Sequence, residues 1–285
     1  MVTTFRAFAG SLGHTLSSLE WLLLHHRAKE AARRRCVENL PLFPGMDVVD
    51  LGCGPGLWTN LLAEQIAPHG SVLGIDLDAN LIKYAREHAD EVTGLHPQFE
   101  VRDFNDLDAY EQRFDVAFSS NCFVYYEAAE PLVRKFSRVV KPGGIMILRH
   151  FDNSFWIANP IEPSLSAAVF HWAAMSGRQD PQGHYFNNSL GQGLHRICRE
   201  AGLSDVRTYS TTVDLSGPLS QAGRDYLSLT AEWTAKIAEK HADPVLLQQW
   251  LAHFDPRSEA YVLDDPDCHF TFLDFVVTGF VGDSH

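Results

Sequence analysis

From Met46 onward the hydrophobic positions of the chain switch between two periods. Short apolar runs at Met46–Leu51, Ser71–Ile75, Phe99–Val101, Phe114–Ser119 and Ile145–Arg149 are bounded by glycine, proline and polar residues, the signature of buried strands. Between them, Leu57–Ala67, Ala79–Val92 and Pro131–Val140 bring apolar residues back every three to four positions and predict helices. Strands alternating with helices imply βαβ units, and therefore a parallel sheet covered on both faces. Right-handed crossovers make such a sheet doubly wound. The fold class is α/β.

The flanks follow other patterns. Leu12, Leu16, Leu19 and Leu23 predict one apolar face of a helix over residues 12–39, before Pro41 and Pro44-Gly45 punctuate the chain. After His150 the regular rhythm lapses. Residues 151–186 are rich in aromatics, proline, asparagine and histidine, with a helix expected at Ser164–Met175. A helix at Leu190–Ala201, a strand at Val206–Val213, two helices within 217–256 and a strand at Phe270–Phe280 complete the reading. The expected organisation is an N-terminal helical segment (1–45), a core (46–150), and a region (151–285) supplying the last strands and a helical, aromatic cap from 155–186 and 217–256.

Composition narrows the function. With 45% hydrophobic and 21% charged residues over 285 positions, the chain has ample material for a core. Lys and Arg number 23 against 36 Asp and Glu, a net charge of −13, which disfavours nucleic acid as a partner. The basic run Arg27–Arg35, with Lys29, Arg33 and Arg34, reads as a solvated helix face. The five cysteines are dispersed, without a C-x-x-C pair, and suit reduced thiols in the cytoplasm; no metal site is expected. The N-terminal stretch lacks secretory character, and no run approaches the ~20 apolar residues of a membrane span.

The most informative stretch is Val48-Val49-Asp50-Leu51-Gly52-Cys53-Gly54-Pro55-Gly56-Leu57-Trp58. Here a strand runs through a glycine turn straight into a helix, which lets a ligand approach the backbone closely. The dinucleotide fingerprint needs a third glycine where Leu57 stands, and no G-K-[ST] follows as a phosphate loop requires. An NAD-dependent reductase is thereby disfavoured. A loop without Lys or Arg, beside the carboxylate of Asp50, suits a neutral or cationic ligand better than a pyrophosphate. Gly74-Ile75-Asp76-Leu77-Asp78 ends the second strand. Asp78, just before the helix, reads as its cap, and Asp76 stands where an acidic residue accepts from ribose hydroxyls.

Taken in order, Val49–Gly56, Gly74–Asp76, Val101-Arg102-Asp103-Phe104 and Val140-Lys141-Pro142-Gly143-Gly144 resemble the class I S-adenosylmethionine-dependent methyltransferases. The likeness is to the small-molecule group that includes ubiquinone and menaquinone methyltransferases, and it covers residues 46–150 well. It implies a Rossmann-like, mostly parallel seven-stranded sheet and S-adenosyl-L-methionine as cofactor. It also implies residue roles. Asp50, Gly52, Cys53, Gly54 and Gly56 would face the methionine portion, Asp76 the ribose, and Leu77 the adenine. Asp103 would receive the adenine amino group beside Phe104, with Ser120 and Asn121 near the methionine end. Lys141–Gly144 would be a structural turn.

Methyl transfer from a sulfonium needs alignment and water exclusion above all, and a general base only when the acceptor must lose a proton. Candidates at strand ends are Tyr126, with Tyr125, after the fourth strand, and His150 and Asp152 after the fifth; His150 equally suits a hydrogen bond closing that strand. Cys122 reads as a packing residue. Phe151, Phe155 and Trp156 together suit the wall of an apolar pocket. The function that follows is methyl transfer to a small apolar or aromatic metabolite. The alternatives are a cofactor-binding enzyme catalysing a non-methylating cyclisation or rearrangement, and a binding module. The N-terminal helix suits either a place over the cofactor or a subunit contact in a homodimer.

Overall fold

The computed structural model describes residues 10–13, 16–89, 94–181 and 183–282, apart from the side chain of Phe155. Its helices are α1 (Leu19–Glu38), α2 (Leu57–Ile66), α3 (Ala79–Glu87), α4 (Ala129–Ser137), α5 (Pro163–Met175), α6 (Leu194–Glu200), α7 (Gln221–Ala238) and α8 (Pro244–Ala252). Its strands are β1 (Asp47–Leu51), β2 (Ser71–Asp76), β3 (Gln98–Val101), β4 (Phe114–Ser120), β5 (Val140–Asn159), β6 (Ser204–Ser216) and β7 (His269–Phe280). They form one seven-stranded sheet in the order β3-β2-β1-β4-β5-β7-β6. The ladders β1–β2, β1–β4, β2–β3 and β4–β5 are parallel. The expected α/β, doubly wound, mostly parallel sheet is what the chain builds.

The chain divides into two compact units, one of residues 33–150, 190–211 and 275–285, the other of 1–32, 151–189 and 212–274. In the first, residues along each strand alternate between two apolar clusters. Val49, Leu51, Ala117, Met146 and Leu148 join one, with Val133, Phe136 and Leu194 from α4 and α6. Val48, Val116, Phe118 and Ile147 join the other, with Trp58 and Leu62 of α2 and Cys36 and Val37 of α1. Side chains of a strand point alternately to its two faces, so this division is the sheet with helices on both sides. In the second unit, Trp156 is central, its ring 5.3 Å from Phe170, 5.8 Å from Trp250 and 4.7 Å from Phe272, centroid to centroid.

Four expectations are corrected. The first helix begins at Leu19, not residue 12: Leu16 has a φ of 58° and the Ser18 hydroxyl accepts the Trp21 N–H, so the chain turns and caps there. The helix expected to Val92 ends at Glu87, and residues 90–93 lie outside the described residues. The fifth strand does not stop at Arg149 but runs on to Asn159. The basic run is not uniformly solvated either, because Lys29 and Arg33 are each only 4% exposed. The Lys29 ammonium sits 4.6 Å from the Tyr226 ring and 5.0 Å from that of Phe272, and the Arg33 guanidinium 4.9 Å from Trp58. Aromatic faces receive a desolvated cation in both cases.

Candidate functional site

The glycine turn after β1 could be built from no other residues. Gly52, Gly54 and Gly56 all have positive φ, at 79°, 55° and 79°, where a side chain is strained. A Cβ on Gly52 would lie 2.9 Å from the Cys122 sulfur, and one on Gly56 2.7 Å from the Phe99 ring. The turn is pinned to the end of β2. The Gly52 and Cys53 N–H groups donate to the Ile75 carbonyl at 2.8 and 3.1 Å, and the Gly54 N–H donates to Asp76 Oδ2 at 2.8 Å. Asp76 Oδ1 accepts from the Asp78 N–H at 2.9 Å, while Asp78 caps α3 through the Asn80 and Leu81 N–H groups. Asp78 is thus the cap expected of it, while both carboxylate oxygens of Asp76 accept backbone N–H groups. Asp76 is half-buried, and burial raises its pKa.

Asp50 lies beneath the turn, 1% exposed, and accepts from the Thr59 hydroxyl at 2.7 Å. Burial pushes its carboxyl up to about 7; Thr59 lowers it, Asp76 adds to the rise, and Arg33 opposes it. Cys53 is buried, and burial foremost holds its thiol well above the ordinary value. The same holds for Cys122, so neither sulfur is a ready nucleophile.

The ends of β3 and β4 bring in the other expected residues. Asp103 caps a short 3-10 turn by accepting the Asn105 N–H at 2.7 Å, and the Phe104 ring lies 4.8 Å from Phe136 and 6.5 Å from Tyr126. Burial raises the Tyr126 phenol, with the charges of Cys122, Asp103 and Asp76 adding to it. Asp76, Asp103, Phe104 and Tyr126 therefore share one locality, and Leu77 is exposed beside Asp76. Ser120 is half-buried and accepts from Arg149 at 3.3 Å; Asn121 turns at a φ of 60° and donates its N–H to the Arg149 carbonyl at 3.0 Å. The Ser119 hydroxyl fastens β4 to the Leu51 carbonyl at 2.7 Å.

Sequence reasoning misplaced the remaining candidates. His150 is 0% exposed and Asp152 3%, both inside β5 rather than at its end. Asp152 Oδ1 accepts the Ser154 N–H at 3.0 Å. Of the three aromatics expected to wall a pocket, Trp156 belongs to a packed core, Phe151 stacks on Phe186 at 6.4 Å, and the Phe155 side chain lies outside the described residues. Thr59 bonds Asp50, Arg149 bonds Ser120 and Arg33 acts on the Asp50 charge, although the sequence assigned them no part in the site. The guanidinium groups of Arg33 and Arg149 both lie over the Trp58 ring, at 4.9 and 5.2 Å from its centroid.

Lys141, Gly143 and Gly144, expected as a turn ahead of the strand, lie within β5 at a register irregularity: Phe114 pairs with Val140, but Val116 pairs with Ile145. Lys141 binds Asp115 at 2.8 Å and Asp47 at 3.5 Å. This is a structural tie, as the resemblance implied.

Comparison with known proteins agrees with this geometry. Residues 42–202 match the family model described as a methyltransferase domain. A phosphoethanolamine N-methyltransferase from Triticum aestivum is 33% identical over 230 residues, covering 75% of this chain and 41% of that enzyme. A ubiquinone biosynthesis O-methyltransferase from Coxiella burnetii is 27% identical over 124 residues, 43% of this chain and 51% of its own length. The chain spans less than half the length of the plant enzymes it matches. Among solved structures, Haemonchus contortus phosphoethanolamine N-methyltransferase 2 superposes with a TM-score of 0.53 at 15% identity. That match covers 99% of this chain and 61% of the nematode protein, and shows a shared fold. No described helix is long and apolar enough to cross a membrane.

Proposed function

The chain belongs to the class I S-adenosylmethionine-dependent methyltransferase family, whose cofactor is S-adenosylmethionine, and from that premise we propose that it methylates a small-molecule acceptor. When bound, the cofactor supplies a methyl group already activated on a sulfonium, so the chemistry is an in-line displacement that releases S-adenosylhomocysteine. The chain's part is to hold, orient and exclude water.

The residues suit the cofactor. The turn offers bare backbone where a Cβ on Gly52 or Gly56 would collide with Cys122 or Phe99, and it carries no cation to repel a sulfonium. In this reading Gly52, Cys53, Gly54 and Gly56 face the methionine portion, with the Asp50 carboxyl, raised to about 7 by burial, at the end of β1 beside them. Asp76 takes the ribose, Leu77 and Phe104 the adenine ring, and Asp103 its amino group. Ser120 and Asn121 flank the methionine end. The observation that carries the reading is the bond from Gly54 to Asp76, which joins the turn and the β2 acid into one receptor.

Of the candidates for acid–base work, Tyr126 is 39% exposed, against 0% for His150 and 3% for Asp152. With its phenol held above the ordinary range, Tyr126 stays protonated at neutral pH and donates a hydrogen bond instead of removing a proton. His150 and Asp152 are positioning residues within β5. An acceptor with a lone pair available at neutral pH requires no base. The insertions 155–186 and 217–256 are assigned to acceptor recognition. The aromatic trio gives no ground for an apolar acceptor, because Trp156 is taken up by its core.

Mass spectrometry of metabolite pools incubated with protein and cofactor tests the activity. A product heavier by one methylene unit, formed together with S-adenosylhomocysteine, supports methyl transfer. A product isomeric with its substrate, with the cofactor unconsumed, favours the non-methylating cyclisation or rearrangement.

A further inference from the structure

The unit formed by 1–32, 151–189 and 212–274 carries a solvent-open pocket of about 240 Å³ that the cofactor reading does not use. That is the scale of a small metabolite, below the roughly 300 Å³ at which pockets for drug-sized ligands begin. Asn153, Asn187, Asn188 and Thr234 line it, with Arg178, and Trp233 and Ile237 give it an apolar side on α7. The site is held together by its own segments: the Asn153 N–H donates to the Asn188 carbonyl at 2.9 Å, and Asn187 Oδ1 accepts the Ser189 N–H at 3.2 Å. Asn187 and Thr234 are both buried.

The lining has one sign. It holds three carboxamides, each with an N–H₂ donor pair, hydroxyls and one guanidinium, and no carboxylate. In a chain of net charge −13, the long-range field repels anions, so an anion gathers only where donors and a cation are built in. Asn187, buried in this lining, favours a ligand that hydrogen-bonds its amide, because an unmet polar group is costly. We propose that this cavity binds a small anionic metabolite, a compact molecule bearing a carboxylate or a phosphate that Arg178 pairs with while the asparagines hold its polar remainder. Guanidinium pairs with either anion in the same two-pronged manner.

Calorimetric titration of the full chain with glycerol 3-phosphate and with glycerate, in the absence of cofactor, separates the two sources of negative charge; glycerol is the uncharged control. Saturable one-to-one binding of either anion, at least tenfold tighter than glycerol and weakened at least tenfold in Arg178→Met, supports the proposal. Arg178 is exposed, so the variant is expected to melt with the wild type. A second variant, Asn188→Ala, is expected to weaken the same ligand. No saturable binding of either anion, equal binding of glycerol, or undiminished affinity in Arg178→Met overturns it. The pocket is lined in large part from the insertions assigned to acceptor recognition, so the proposal rests on that reading; with no cofactor present, failure of anion binding stays distinguishable from failure of methyl transfer.

Discussion

The carboxylate of Asp76 accepts the Gly54 N–H at 2.8 Å and the Asp78 N–H at 2.9 Å, one on each oxygen. One side chain thus fixes both the glycine turn and the entry into α3. Asp76→Asn keeps one accepting oxygen and replaces the other with a donor that faces a donor. The loss of a charged, largely buried acceptor predicts ~1–3 kcal/mol of destabilisation, read from urea denaturation. An unchanged midpoint would mean that the turn holds its shape without this bond.

Asp50 links stability to pH. Its carboxyl is raised by burial to about 7, against roughly 3.9 in an unfolded chain. A raised native pKa means the folded state keeps a proton that the unfolded state releases. Its contribution is complete below about pH 4 and is lost as pH rises through about 7. Asp50→Asn resembles the protonated form and retains an oxygen for Thr59. The variant is expected to match the wild type near pH 4 and to become progressively more stable than it toward pH 8, in paired thermal melts. A constant difference across that range would contradict the assignment.

Gly56 tests the backbone of the turn. Its φ of 79° strains any L-residue, and a Cβ would press on Phe99 at 2.7 Å. Gly56→Ala is expected to cost ~1–3 kcal/mol from the dihedral alone, with the Phe99 contact adding to it. Chemical denaturation measures the sum; a variant as stable as wild type would show that the turn adopts another conformation in solution.

Lys29 tests the buried face of α1. Its ammonium lies over Tyr226 and Phe272, where a desolvated cation–π pair contributes ~2 kcal/mol. Lys29→Met keeps the stem and removes the charge, with an expected fall in stability of about 1–2 kcal/mol. A gain in stability would show that burying the charge costs more than the rings return.

Much of this was legible in the sequence wherever local pattern and tertiary structure agree. The strands and helices from 46 to 140 and the turn at Gly52–Gly56 announce themselves through periodicity and steric need. β5 did not, because Asp152, Asn153 and Ser154 read as a break; the strand runs on to Asn159 regardless, and Ile157 and Ala158 resume the alternation between exposed and buried. Candidates chosen for lying at the end of that strand were therefore inside it. Lys29 and Arg33 misled for a related reason. A basic run implies a wet face unless aromatic rings from residues 58, 226 and 272 arrive to cover it, and no local pattern reports that.

Calorimetric titration with S-adenosylmethionine and S-adenosylhomocysteine, on the wild type and on Asp76→Ala confirmed folded by circular dichroism, tests the central claim most directly. The account predicts micromolar binding of both ligands and a loss of at least a hundredfold in the variant, about 2.7 kcal/mol or more. Well-folded wild-type protein that binds neither ligand would contradict it.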